Sequence, residues 1–254
     1  MAATWFLSPN RLATETIAVT AAFTVILLLL VPSLTSPKAT IKFSESISPP
    51  VTLRITSSLC LAAQVWYKIT GYENKLAFMV MPCNVLWTCC FLTSLPVVHP
   101  TIRYCIVQCW YSFQILVWVV FAIADTGDLY MPFEIEYFWA NHVLLLFIPF
   151  YFLLTSKVPA ASGGIVDFLK WWLLSCSTTG IFYFAFATPL SILSRLNLNY
   201  MLSPPPVPPP GVSLTENFRI ESMALMAVGF FISRLITVGV DLMKNLVVGK
   251  TKKA

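Results

Sequence analysis

Charge is what this sequence has least of. Only 11% of its 254 residues are Asp, Glu, Lys or Arg, against roughly 25% in soluble globular domains. With 57% hydrophobic residues, that scarcity excludes a water-soluble fold and points to an integral membrane protein. The net charge is +5, yet the basic residues never gather into a face interleaved with aromatics, which excludes nucleic-acid binding. Histidine is almost missing, with His99 and His142 the two present. Seven cysteines stand at Cys60, Cys83, Cys89, Cys90, Cys105, Cys109 and Cys176, nearly all inside apolar runs where a thiol behaves as a small hydrophobe. Cys105 and Cys109 have helical i,i+4 spacing, but no histidine or second cysteine pair completes a zinc pattern. Neither a metal nor a cofactor is expected. No Asn-x-Ser/Thr glycosylation acceptor occurs. Internal repeats and a charged pathway at mid-membrane, the marks of a transporter, are also missing.

What is present is a series of long apolar runs. Seven read as membrane helices: Ile17–Val31, Val51–Tyr67, Leu76–Val98, Ile102–Ala124, Phe133–Leu154, Phe168–Leu193 and Met223–Val240. The expected fold is all-α, a single integral membrane domain over residues 1–254 with about seven spans. The second run is the weakest, because Arg54 and Gln64 interrupt it. The first is read as a span and not as a cleaved signal, since Arg11 alone precedes it and no clean small-x-small site follows. Residues 194–222 contain "SPPPVPPPG", a stiff polyproline loop between the last two spans. Residues 241–254 are expected to form a basic cytosolic tail.

Lysine and arginine bias orients the bundle. With the C-terminus in the cytosol, Lys38, Lys42, Arg103, Lys157, Lys170, Lys244, Lys250, Lys252 and Lys253 fall on the cytosolic side. The other side receives the acidic stretch with Asp125, Asp128, Glu134 and Glu136. The ending "KTKKA" has two readings: an endoplasmic-reticulum retrieval address read by coat machinery, or a basic cap on the last helix.

Polar groups inside spans are functional hypotheses by default. Arg54 and Arg234 are read as snorkelling from span ends. In the fifth run Glu134, Phe138 and His142 recur at i, i+4 and i+8, with Asn141 beside them. Glu134 or Glu136 is a candidate to orient the imidazole. In the third run Pro82 precedes Cys83 and Asn84. Either Pro82 kinks a long helix, or residues 76–82 lead in and the helix starts at Pro82, setting Cys83 in its first turn. Spans three and five start on the same membrane face, so Cys83 and His142 sit at similar depth, roughly 10–14 Å below one surface. Asn197 and Asn199 stand where a span meets water, placed to position lipid head groups.

Three stretches carry a family resemblance: "MPFEIEYFWANHVLLLFIPFYFLL", "LNLNYMLSP", and "QVWYK" leading to "MPCN". They are similar to segments of the transmembrane protein 164 family, distantly related to the androgen-induced membrane hydrolases of the endoplasmic reticulum. The resemblance covers roughly residues 55–245. It implies a membrane acyltransferase that moves a fatty acyl chain from a phosphatidylcholine-like phospholipid to a lysophospholipid of the ether lysophosphatidylethanolamine type. The family's cysteine falls on Cys83 and its histidine on His142. Cys83 is then the nucleophile that carries a thioester, with His142 as general base and Asn84 as a candidate oxyanion donor. Phospholipids and lysophospholipids are the expected partners and the endoplasmic reticulum the expected location, N-terminus in the lumen. Two alternatives stand beside this: a lipid hydrolase using the same centre, and a non-catalytic seven-helix transporter or receptor.

Overall fold

Proline marks where the helices begin. In the computed structural model, which describes residues 6–34, 51–71, 75–124, 126–127, 129–155, 158–160, 164–205 and 215–251, Pro9, Pro82 and Pro100 each open a helix. There the missing N–H costs nothing and the fixed φ fits. The helices are α1 (Pro9–Leu34), α2 (Val51–Thr70), α3 (Pro82–Ser94), α4 (Pro100–Ile123), α5 (Glu134–Thr155), α6 (Gly164–Ser194) and α7 (Phe218–Thr251). Among the described residues there is no strand. Five of the helices are long and apolar enough to cross a membrane: α1, α4, α5, α6 and α7.

The remaining two depart from the expected spans. Arg54, Gln64 and Lys68 make α2 too polar to pass as a simple crossing. The third run is not one helix over Leu76–Val98. A 3-10 turn occupies Lys75–Val80, Met81 is extended, and α3 then has only 13 residues, about 20 Å of rise. The helix start, not the kink, is therefore what Pro82 provides.

Inter-helix bonds show which ends lie together. Arg11 Nη1 meets Glu216 Oε2 at 3.1 Å, Tyr67 Oη donates to Pro132 O at 3.2 Å, and Asn199 Nδ2 donates to Val80 O at 3.1 Å. One end thus gathers the starts of α1, α5 and α7, the end of α2, the 3-10 turn and the turn after α6. At the other end Arg54 Nε donates to Ser94 O (3.1 Å) and Lys244 Nζ to Leu153 O (2.5 Å). Close approach between helices uses small residues, as in other membrane bundles. A methyl group at Gly229 of α7 would stand 2.8 Å from Ile115 Cγ1 of α4.

Two buried arginines hold the bundle. Arg219 of α7 reaches Leu12 O (3.3 Å), Glu15 Oε2 (3.2 Å), Thr16 Oγ1 (3.0 Å) and Thr188 Oγ1 (2.9 Å), joining α1, α6 and α7. Thr188 Oγ1 in turn donates to Tyr183 O at 2.9 Å. It does so at the end of a π-helical segment, Phe182–Ala187, just before Pro189, where the regular ladder is broken.

Arg234 corrects a sequence expectation. It does not snorkel, because it is 0% exposed and donates to Gln108 O (2.9 Å), Gln108 Oε1 (2.8 Å) and Ala160 O (3.1 Å). The turn at 158–160 is drawn into the bundle, and its backbone is satisfied by side chains. Tyr111 Oη donates to Val158 O (2.9 Å), Gln108 Nε2 to Pro159 O (2.9 Å), and Ala160 N to Asp241 Oδ2 (2.9 Å). Asp241 and Lys244 are thereby engaged by the fold, and α7 stays helical through the segment read as a tail as far as Thr251. Of the retrieval pattern at Lys250 and Lys252, Lys252 lies outside the described residues, as do Asp125, Asp128 and residues 206–214 of the proline-rich loop.

Candidate active site

At the end where the 3-10 turn meets α2 and α5, a cavity of about 340 Å³ opens. Cys83, Asn84, Glu134, Asn141, His142, Asn197 and Asn199 all line it. Of the residues singled out in the sequence, Glu136 does not. It faces outward and is exposed, so it cannot orient the histidine. At two positions beyond Glu134, a helix carries it about 200° round the axis, away from the stripe.

The thiol and the imidazole reach this cavity from different elements. Cys83 follows Pro82 in the first turn of α3, and Asn84 N and Val85 N both donate to Met81 O at 3.0 Å. His142 lies eight residues past Glu134, about 12 Å along α5. Cys83 matches that depth because the six residues of Lys75–Val80 come before it, themselves worth about 12 Å at 3-10 rise. A continuous helix is not needed to bring the two residues to one wall.

His142 is 1% exposed, with its ring 4.2 Å from that of Phe138. Nδ1 sits 2.7 Å from Phe138 O. A carbonyl only accepts, so in the neutral ring Nδ1 carries the proton and Nε2 keeps the lone pair. Nε2 is buried and has no hydrogen-bond partner in the described structure. The imidazole is thus oriented by a backbone carbonyl of its own helix and not by a carboxylate. Glu134 has other partners: Oε2 accepts from Met131 N (3.1 Å) and Oε1 lies 3.8 Å from Lys68 Nζ.

Cys83 Sγ contacts Asn84 Oδ1 at 3.7 Å, and Asn84 Nδ2 donates to Phe78 O at 2.7 Å. Asn84 therefore binds the 3-10 turn to the helix start with one amide hydrogen and retains a second. No hydrogen bond joins Cys83 Sγ to His142 Nε2. They line the same cavity as a thiol and an unoccupied base.

The two late asparagines separate in role. Asn197 is consumed by its own turn: Oδ1 accepts from Leu202 N (2.8 Å) and Ser203 N (3.2 Å), while Nδ2 donates to Ser203 O (3.0 Å) and Oγ (2.7 Å). Its amide shapes the wall and has little left for a lipid head group. Asn199 holds Val80 O with Nδ2, but its Oδ1 is buried without a partner. Asn199 and Tyr200 have φ of 53° and 58°, and Phe133, next to Glu134, has 61°. Left-handed backbone at residues other than glycine costs of order 1–3 kcal/mol each and collects at functional sites. Two of the four such residues in the described structure, Asn199 and Tyr200, line this cavity.

Gln64, Tyr67, Lys68 and Tyr137 also line the cavity, and sequence reasoning gave them no role. Gln64 Nε2 donates to Asn141 Oδ1 at 3.2 Å, and Tyr137 Oη to Cys60 O at 2.6 Å, fixing α2 against α5. A signal was available. Gln64 and Lys68 recur at i,i+4 on α2, a polar stripe, of which only Gln64 was weighed, as an interruption of the span.

Comparison with known proteins now bears on this arrangement. Over 180 residues the chain is 29% identical to a protein of Dictyostelium discoideum named transmembrane protein 164 homolog, a match covering 67% of this chain and 60% of that protein. The match supports assignment to the transmembrane protein 164 family. The chain thus spans about 60% of the length of this relative. No protein-family model and no solved structure matches it. The likeness to this relative and five helices long and apolar enough to cross a membrane make this an integral membrane protein.

Proposed function

We propose that the protein is a membrane acyltransferase that moves a fatty acyl chain from a phosphatidylcholine-like phospholipid to an ether lysophosphatidylethanolamine-like acceptor through a Cys83 thioester. One observation carries this reading. Cys83 and His142 line one cavity, and the imidazole offers it a buried, unpartnered Nε2.

In the first half-reaction His142 Nε2 takes the Cys83 proton. The thiolate attacks the donor's ester carbonyl, the carbon–oxygen bond breaks, and the leaving lysophospholipid alkoxide recovers the proton from the imidazolium. In the second, Nε2 takes the proton of the acceptor hydroxyl, whose oxygen attacks the thioester. The carbon–sulfur bond breaks, and the thiolate is reprotonated. Charge on the tetrahedral oxygen meets the spare Asn84 amide hydrogen and the Cys83 N–H in the first turn of α3, the Asn84 and Val85 N–H groups being held by Met81 O. Closing Cys83 Sγ onto Nε2 is left to the bound lipid, as catalytic hydrogen bonds commonly tighten on substrate binding.

In this reading all seven helices cross the bilayer. The 3-10 turn and α3 together extend about 32 Å, enough for a hydrocarbon core of about 30 Å. The N-terminus faces the lumen of the endoplasmic reticulum and the C-terminus the cytosol, as the lysine and arginine bias indicates. The hydrolase alternative uses the same centre with water as acceptor. Product analysis in liposomes separates them: acyl transfer yields remodelled phospholipid in proportion to added lysophospholipid, while free fatty acid as the sole product would establish hydrolysis.

A further inference from the structure

Lys68 and Glu134 are the two side chains of formal charge among the described residues lining the cavity. They come from the end of α2 and the start of α5, and Lys68 Nζ stands 3.8 Å from Glu134 Oε1, beyond hydrogen-bond distance. The two form a loose ion pair, and each keeps hydrogen-bonding capacity that the fold does not use. Lys68 Nζ rests 5.9 Å from the centre of the Phe78 ring and makes no hydrogen bond among the described residues. Glu134 is 3% exposed, with Oε2 held by Met131 N–H while Oε1 is buried without a hydrogen bond. A carboxylate oxygen buried and unbonded is costly and rare in a finished structure. A lysine paired loosely with it and making no hydrogen bond among the described residues leaves both signs of charge facing one space.

We propose that this pair reads the lipid head group, Lys68 taking the phosphate and Glu134 the ammonium, so that the cavity selects zwitterionic over anionic phospholipids. The proposal rests on the reading of the cavity as a phospholipid site and adds residues and a selection rule to it. A phosphodiester carrying an amine supplies an acceptor for Lys68 and a counter-charge for Glu134 at once. A head group with phosphate alone satisfies Lys68 but sets a second negative charge against a buried carboxylate, so discrimination comes from repulsion as well as attraction. The placement suits the chemistry below it. His142 lies about 12 Å deeper along α5 than Glu134, so a head group held at the pair directs the glycerol esters inward toward Cys83.

The test uses the full chain in nanodiscs, carrying Cys83→Ser so that no turnover disturbs the measurement. Binding of lysophosphatidylcholine and lysophosphatidylglycerol of equal chain length is compared. The parent should prefer the zwitterion. Glu134→Gln should remove that preference, chiefly by tightening lysophosphatidylglycerol, and Lys68→Met should weaken both lipids about 10- to 100-fold. Where a single variant fails to fold, the double exchange Lys68→Glu with Glu134→Lys keeps one charge of each sign and should retain a zwitterion preference. Equal binding of the two lipids by the parent, or an unchanged ratio in Glu134→Gln, would overturn the proposal. Head-group selection that persists in a protein without acyl transfer would leave this inference standing and remove only the catalytic reading.

Discussion

Cys83→Ala abolishes acyl transfer by the lipid-reconstituted protein, and His142→Gln lowers it about 10²- to 10⁴-fold, the usual worth of a positioned general base. Both effects follow from placement. Cys83 is half-buried at a helix start and contacts a single polar side chain at 3.7 Å, so its loss removes a nucleophile while leaving the packing of α3 in place. Glutamine at 142 can still donate to Phe138 O but offers no basic nitrogen to the cavity. Thermal midpoints of both variants in detergent should stay close to that of the parent. A Cys83→Ser protein with full transfer would remove the nucleophile assignment.

Arg234→Ala destabilises the bundle by about 3–5 kcal/mol, the scale for breaking a buried charged network by removing one member. Three hydrogen bonds from the guanidinium are lost, and the turn at 158–160 loses one of the side chains that satisfy its backbone. Gln108 Oε1 and Ala160 O are left without that donor in a space water reaches poorly. Arg54→Ala provides the contrast. Arg54 is only partly buried and makes one bond, to Ser94 O at 3.1 Å, so its loss should cost about 1 kcal/mol. Equilibrium unfolding in mixed micelles measures both. Equal costs for the two arginines would contradict the account of the turn.

Much of this architecture was legible in the chain because apolar length is a direct signal. The runs that became α1, α4, α5, α6 and α7 needed only counting. The i, i+4, i+8 stripe of Glu134, Phe138 and His142 also reads straight from helical period, and all three residues line the cavity. Other features depended on tertiary partners that sequence does not display. Arg234 looked like a snorkelling end residue because nothing local reveals that Gln108 and Ala160 wait for it. Asn197 looked available to a ligand because its four bonds are made to a turn that folds back on it. The third run looked continuous because its 3-10 turn is as apolar as a helix. Pro82 was the one mark of the break, and it permitted two interpretations that composition could not separate. Lys68 was overlooked for a different reason. It stands one residue past the apolar run ending at Tyr67, where a lysine reads as an ordinary flanking charge, and only the fold brings it beside Glu134.

The central claim is that Cys83 carries the acyl chain between two lipids. It is tested most directly by mass spectrometry of the reconstituted protein after incubation with a tagged phosphatidylcholine and no acceptor. The account predicts one hydroxylamine-sensitive acyl group on the Cys83 peptide, faint in His142→Gln, which disappears when lysophosphatidylethanolamine is added and reappears in the phospholipid product. Transfer of the tag between lipids with Cys83 never acylated would contradict it.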